Sequence, residues 1–273
     1  MKYEATLVIL ALIAFAGVSY FLLWPRFLKW YVTKKTFPDA WLEIIEQQLS
    51  IYEKLTTTLQ QELQNHIKWF VYQKKFIGCA GLIVNDTIKI TIAAQACLLL
   101  LNRPTREYPS LRYIYVYPSS FRAIHEVRDE LGLVSTETRD LLGESWDSGK
   151  VVLAWDNVEQ GIRNFQDGYN VVLHEFAHQL DQESGIANGA PLLYTKAAYK
   201  SWAYVFGQEF ERLQSQSPED PSIIDHYGAT NPAEFFAVAT ETFFEEPHKL
   251  YQHHRELFEQ LQNYYRLDPR EWV

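Results

Sequence analysis

Residues 5–24 carry no charge (ATLVILALIAFAGVSYFLLW). As a helix rising about 1.5 Å per residue, the run covers about 30 Å, the thickness of a bilayer's hydrocarbon core. Past it the pattern turns amphipathic. Over residues 39–73 apolar side chains recur every three or four positions (Leu42, Ile45, Leu49, Tyr52, Leu55, Leu59, Leu63, Ile67), which predicts one long helix capped by Asp39. Residues 86–102 predict a second helix, apolar enough over 93–101 to be buried and stopped by Pro104. Residues 112–117 alternate β-branched and aromatic side chains, as a strand does, and 149–155 predict another strand. Further helices are predicted near 170–181, 194–214, 231–244 and 248–265. The pattern describes an α+β, helix-dominated body over residues 36–273, with a small early sheet, behind an apolar segment within residues 1–35.

Flanking chemistry bears on that segment. Tyr20 and Trp24 stand where an interfacial aromatic belt would lie, and Pro25 and four basic residues follow by Lys35. Ala14-Phe15-Ala16 has the small-x-small form of a signal-peptide cleavage site, yet the apolar run continues eight residues beyond it. The reading is an uncleaved transmembrane helix, with the body on the cytoplasmic side by the positive-inside rule.

Composition then removes whole classes. With 47% apolar and 15% aromatic residues in 273, the chain is neither disordered nor a low-complexity scaffold. Two cysteines, Cys79 and Cys97, are too few for a disulfide-stapled module or an all-cysteine zinc site. Residues 1–35 carry +4 (Lys2, Arg26, Lys29, Lys34 and Lys35 against Glu4), which leaves −13 of the total −9 for the body. A body so acidic has no footprint for phosphates, so no nucleic-acid partner is expected.

The sharpest chemical signal is His174-Glu175-Phe176-Ala177-His178. Residues four apart on an α-helix share a face, so both imidazoles can converge on one metal ion while Glu175 projects beside them. Such spacing arises by chance about 0.02 times in a chain of this length and composition. Zinc held by two imidazoles and a carboxylate keeps a position for water, whose proton Glu175 can accept and pass to a leaving amine. Asp181 is either an acceptor that orients a ligand imidazole or a solvent-facing carboxylate near the helix end.

The third ligand stays open on spacing alone. His226, His248, His253 and His254 are formally available, and Glu234 and Glu241 share one face of an otherwise apolar helix. Glu234 has a competing role, because Asn231, Pro232 and Glu234 fit a capping box. Glu241 has no capping role and suits an acceptor for a ligand histidine. Residues 151–155 fit either a strand to which an extended substrate adds its backbone or a plain core strand.

Three separated blocks resemble the Mlc titration factor A family of zinc metallopeptidases: residues 174–181 (HEFAHQLD), 227–238 (YGATNPAEFFAV) and 92–101 (IAAQACLLLL). The likeness covers about residues 70–265. It implies a zincin-like core similar to that of the lethal-factor toxin protease, which has a comparable Tyr-Gly…Ala-Glu-Phe-Phe stretch. It also implies His174, His178 and Glu234 as zinc ligands, Glu175 as general base and Tyr227 as a transition-state group. A phenol beside zinc makes physical sense as an oxyanion donor. The expected activity is zinc-dependent hydrolysis of a peptide or protein substrate, aminopeptidase-like or of narrow range. The alternative is a regulatory module that sequesters a protein partner such as a transcriptional repressor, with weak or secondary hydrolysis. The apolar amino terminus is additional to the family pattern and would hold the domain at the bacterial inner membrane. A purely structural zinc site, usually closed by four ligands and rich in cysteine, does not suit Cys79 and Cys97, which lie in a different block from the histidines.

Overall fold

A computed structural model of the chain describes residues 2–103, 107–128, 134–141, 143–146 and 149–272. Helix α1 (Lys2–Lys34) runs without a break through Pro25, and the Arg26 guanidinium donates to the Leu22 carbonyl beside it. Its stretch Leu12–Lys34 is long and apolar enough to cross a membrane, a property it shares with signal sequences.

The end of α1 is tied to the body. Lys29 donates to Glu107 at 2.6 Å, His66 lies 2.9 Å from the same oxygen, and Lys68 donates to the carbonyls of Thr33 and Lys35. Burial works against the Glu107 anion, but His66 and Lys29 outweigh it and bring its pKa down to about 2. Burial likewise works against protonated His66, and Glu107 and Glu62 outweigh it to raise its pKa. The Glu107 contribution to stability is therefore full above about pH 4.5 and is lost as pH falls through about 2. The His66 contribution is full below about pH 6.5 and is lost as pH rises through its higher folded value. Glu107→Gln is expected to lower the melting temperature most between about pH 4.5 and 6.5. Thermal melts of both chains across pH 4–9 test this, and a pH-independent difference would refute the charge account.

The predicted 39–73 helix is two helices, α2 (Asp39–Gln48) and α3 (Thr57–Gln73), with a 3-10 turn at Tyr52–Lys54 between them. Thr56 caps α3 through its hydroxyl. The apolar period survives the break because Ile45, Leu49, Tyr52, Leu55, Leu63 and Ile67 all enter one core. Helix α4 (Asp86–Leu98) is buried as expected and continues as turns to Asn102; Pro104 lies outside the described residues. The predicted 248–265 helix is also two, α9 (Pro247–His253) and α10 (Arg255–Tyr265). They part at His254, whose ring turns to Glu209 at 2.8 Å.

A four-stranded sheet lies in the first half of the body, in the order β1 (Lys75–Gly78), β2 (Tyr113–Tyr117), β6 (Lys150–Ala154), β5 (Gly143–Trp146). The first three strands are parallel and β5 is antiparallel. Strands β3 (Phe121–Arg128) and β4 (Val134–Leu141) form a separate hairpin. The predicted strand at 149–155 is β6, and it pairs on both sides, with β2 and β5. It is a core strand with no edge to offer a substrate; the edge on that side is β5, which packs beside α6 (Val171–Asp181). Strands β1 and β5, the hairpin and α5 (Trp155–Arg163) are not among the predicted elements, although Trp155, Val158 and Ile162 give α5 a helical apolar spacing. Helix α7 (Lys196–Ser215) and α8 (Pro232–Glu245) complete the fold.

Helix α6 sits at the centre, against α4, α5, α8 and the β5–β6 end of the sheet. Its Phe176 ring packs against Tyr108 with centroids 4.8 Å apart, and against Phe70. Asp181, at its last position, is fully buried and accepts the Gly189 N–H at 2.7 Å. It thus faces the loop after α6 and not solvent. Gly189 has φ +75°, and a Cβ there would lie 2.2 Å from the Pro232 carbonyl oxygen, so only glycine lets the loop close on the start of α8.

A candidate metal centre between α6 and α8

The local chain explains how each side chain arrives. Asn170 caps α6, its side-chain oxygen accepting from the N–H of Val172 and Leu173. One helical turn then separates His174 from His178, and the rings meet edge-on with centroids 4.8 Å apart. On α8, Asn231 caps the helix by accepting from Ala233 and Glu234 N–H, and Pro232 opens the first turn. The cap is therefore made by Asn231, while the Glu234 carboxylate turns toward the histidines. Its Oε2 lies 3.0 Å from His174 Nε2 and 3.2 Å from His178 Nε2, and the two Nε2 atoms are 3.2 Å apart.

The three ligand-capable atoms lie within 4.8 Å of one another, and His174, His178 and Glu234 are the one such metal-capable group among the described residues. His226 instead lies against the Asp220 carbonyl and His254 against Glu209. Neither they nor His248 and His253 join the cluster.

Behind the cluster, Glu241 stands 2.7 Å from His174 Nδ1. A carboxylate accepts, so Nδ1 carries a proton there and Nε2 is left as the nitrogen that a metal would bind once its own proton is displaced. Burial opposes a charged His174, but Glu241 and Glu234 overcome it and raise its pKa well above the ordinary histidine value. Burial also works against ionised Glu234, yet the two histidines hold its carboxyl well below the usual range. In Glu241 burial wins and raises the carboxyl's pKa despite His174. Two imidazole nitrogens and a carboxylate facing one point, with protons held among them, form a donor set that a divalent cation fits by displacing those protons.

Glu175, between the two histidines, is 3% exposed on the same helix. Tyr227 sits on the 3-10 turn His226–Ala229, which Asp225 caps by accepting the Tyr227 N–H at 2.7 Å. Its ring is half exposed, with its centroid 6.0 Å from that of His174. The structure thus brings His174, Glu175, His178, Glu234, Glu241 and Tyr227 into one neighbourhood. The residues not predicted are Asn170 and Glu245, which pack behind Glu241. An asparagine directly before an apolar helical run was the available signal for the first of them.

The profile of the family described as glucose-regulated metallo-peptidase M90 matches residues 24–266. The chain belongs to this metallopeptidase family. Membership implies a metal, and the cluster at His174, His178 and Glu234 is a group able to hold one. An uncharacterised protein of Synechocystis sp. is 39% identical over 257 residues, 92% of this chain and 94% of its own length. Proteins named Mlc titration factor A are 33% identical in Pectobacterium atrosepticum, over 73% of this chain and 76% of theirs, and 31% identical in Klebsiella pneumoniae, over 82% and 86%. The family match starts at residue 24, within the membrane-length helix and well before the motif blocks.

Proposed function

We propose that this chain is a membrane-anchored, zinc-dependent peptidase with a zincin-like core. The observation that carries the reading is the convergence of His174, His178 and Glu234 on one point with Glu175 beside it. Zinc suits a set of two imidazoles and one carboxylate, and when bound it supplies a water whose pKa is lowered to about 7. Glu175 takes the proton of the attacking water and delivers it to the leaving amine. Tyr227 donates its phenolic hydrogen to the oxyanion of the tetrahedral intermediate. Glu241 keeps His174 in the metal-binding tautomer. An extended substrate has the β5 edge beside α6 on which to pair its backbone. Helix α1 stays attached and holds the domain at the cytoplasmic face of the inner membrane.

A second reading rests on the name of the relatives, Mlc titration factor A, which describes a protein that titrates another. On it, this chain sequesters a regulatory protein partner and hydrolysis is secondary. The test is the full chain in detergent, assayed for metal content and for turnover of a peptide library with free and blocked amino termini. The expected result is one zinc per chain and cleavage abolished by a chelator and restored by zinc. Cleavage confined to free amino termini would mark an aminopeptidase. No cleavage by the zinc-loaded chain would favour the binding reading.

A further inference from the structure

One residue joins both halves of the centre. Asn170 accepts the Val172 and Leu173 N–H on its side-chain oxygen, donates its backbone N–H to Glu241 Oε2 at 2.5 Å, and donates its carboxamide Nδ2–H to Gln95 Oε1 at 2.7 Å and Glu245 Oε1 at 3.0 Å. Asn170, Gln95 and Glu245 are each about 1% exposed, so these bonds form away from water, where a lost donor is not replaced. The second Glu245 oxygen accepts the Gly168 N–H at 3.1 Å, which ties the approach to α6 onto α8. From α5, Gly161 packs directly against the Asn170 carboxamide; a Cβ there would lie 3.3 Å from its Cγ and Nδ2.

We propose that Asn170 is a positioning residue for the metal centre. By fixing the start of α6 and the Glu241 carboxylate at once, it sets where His174 Nε2 points relative to His178 and Glu234. A cap alone would need only the side-chain oxygen. The carboxamide bonds to α4 and α8 are additional to the cap, and they hold the residue whose N–H holds Glu241. This rests on the metal-site reading above.

The test is zinc affinity of the folded full chain, measured by competition with a chromophoric chelator at a temperature well below each melting point. Asn170→Ser keeps a capping oxygen and removes the carboxamide. It is expected to weaken zinc binding about 10-fold, and Glu241→Gln by about 10–100-fold, the range found for residues that orient metal ligands. The double variant should be no weaker than the worse single one, because Asn170 acts through Glu241. Gly161→Ala presses on the same carboxamide, from 3.3 Å, while alanine improves a helix, so zinc binding should weaken several-fold whichever way these opposed effects move the melting temperature. It keeps the proposal testable should the serine variant not fold. A lower melting temperature with zinc affinity within two-fold of wild type in the folded variants would overturn the proposal, as would losses that multiply in the double variant. Failure of the unaltered chain to bind zinc would overturn the metal-site reading itself.

Discussion

Glu175→Gln is expected to keep the full metal complement and lose about 10²–10⁴-fold in kcat. Glutamine has nearly the shape of glutamate, so the packing of this residue, only 3% exposed, is conserved. None of the three convergent atoms belongs to residue 175, and His174 keeps its bond to Glu241. What disappears is a carboxylate able to take a proton from water and return it to an amine. Metal analysis together with kcat on a cleaved peptide decides the matter. Unchanged turnover would remove Glu175 from the mechanism, and loss of the metal would make its role structural.

His174→Ala has the larger structural consequence. It removes one of the three convergent atoms, so metal binding should fall below detection at micromolar zinc. It also strips the ring from Glu241, whose side chain is only 4% exposed. Removing one partner of a buried charged pair costs about 3–5 kcal/mol. For a chain of this size each kcal/mol moves the melting temperature by about 2–4 °C, so a fall of roughly 6–20 °C is expected even without metal. With zinc at 1,000 times its Kd the unaltered chain gains about 4 kcal/mol more, and the gap widens. Glu234→Ala is the informative contrast. Its side chain is 18% exposed and Glu241 keeps His174, so the metal should be lost with a much smaller change in the metal-free melting temperature. Equal destabilisation by the two substitutions would contradict this account.

The two faces of Asn231-Pro232-Ala233-Glu234 show where sequence reading stops. Those residues fit a capping box completely, and nothing local separates that role from metal ligation. In the folded chain the Asn231 side chain satisfies the first turn, and Glu234 is drawn to two imidazoles on another helix. The strand at 150–154 has the same lesson. Its composition suits an edge or a core strand, and only pairing with both β2 and β5 makes it central. Asp181 fitted either of two roles and took a third, because the loop that returns to Pro232 offers it the Gly189 N–H. The long apolar period over 39–73 hid a break, since both helices face one core and periodicity reports the face, not the continuity.

What the sequence determined by itself is local. The membrane-length helix follows from a run of uncharged residues, and the pairing of His174 with His178 follows from the pitch of one helix. Both depend on atoms a few residues apart along the chain. Glu234 lies 60 residues from His174 and Glu241 lies 67 away, so their arrival depends on how α8 packs on α6. Asn170 reaches Gln95 and Glu245, each 75 residues distant, through the same packing. Helical geometry is encoded in short-range sterics and hydrogen bonds. The donor set, the tautomer of His174 and the network behind it are long-range contacts, and those exist only once the core has closed.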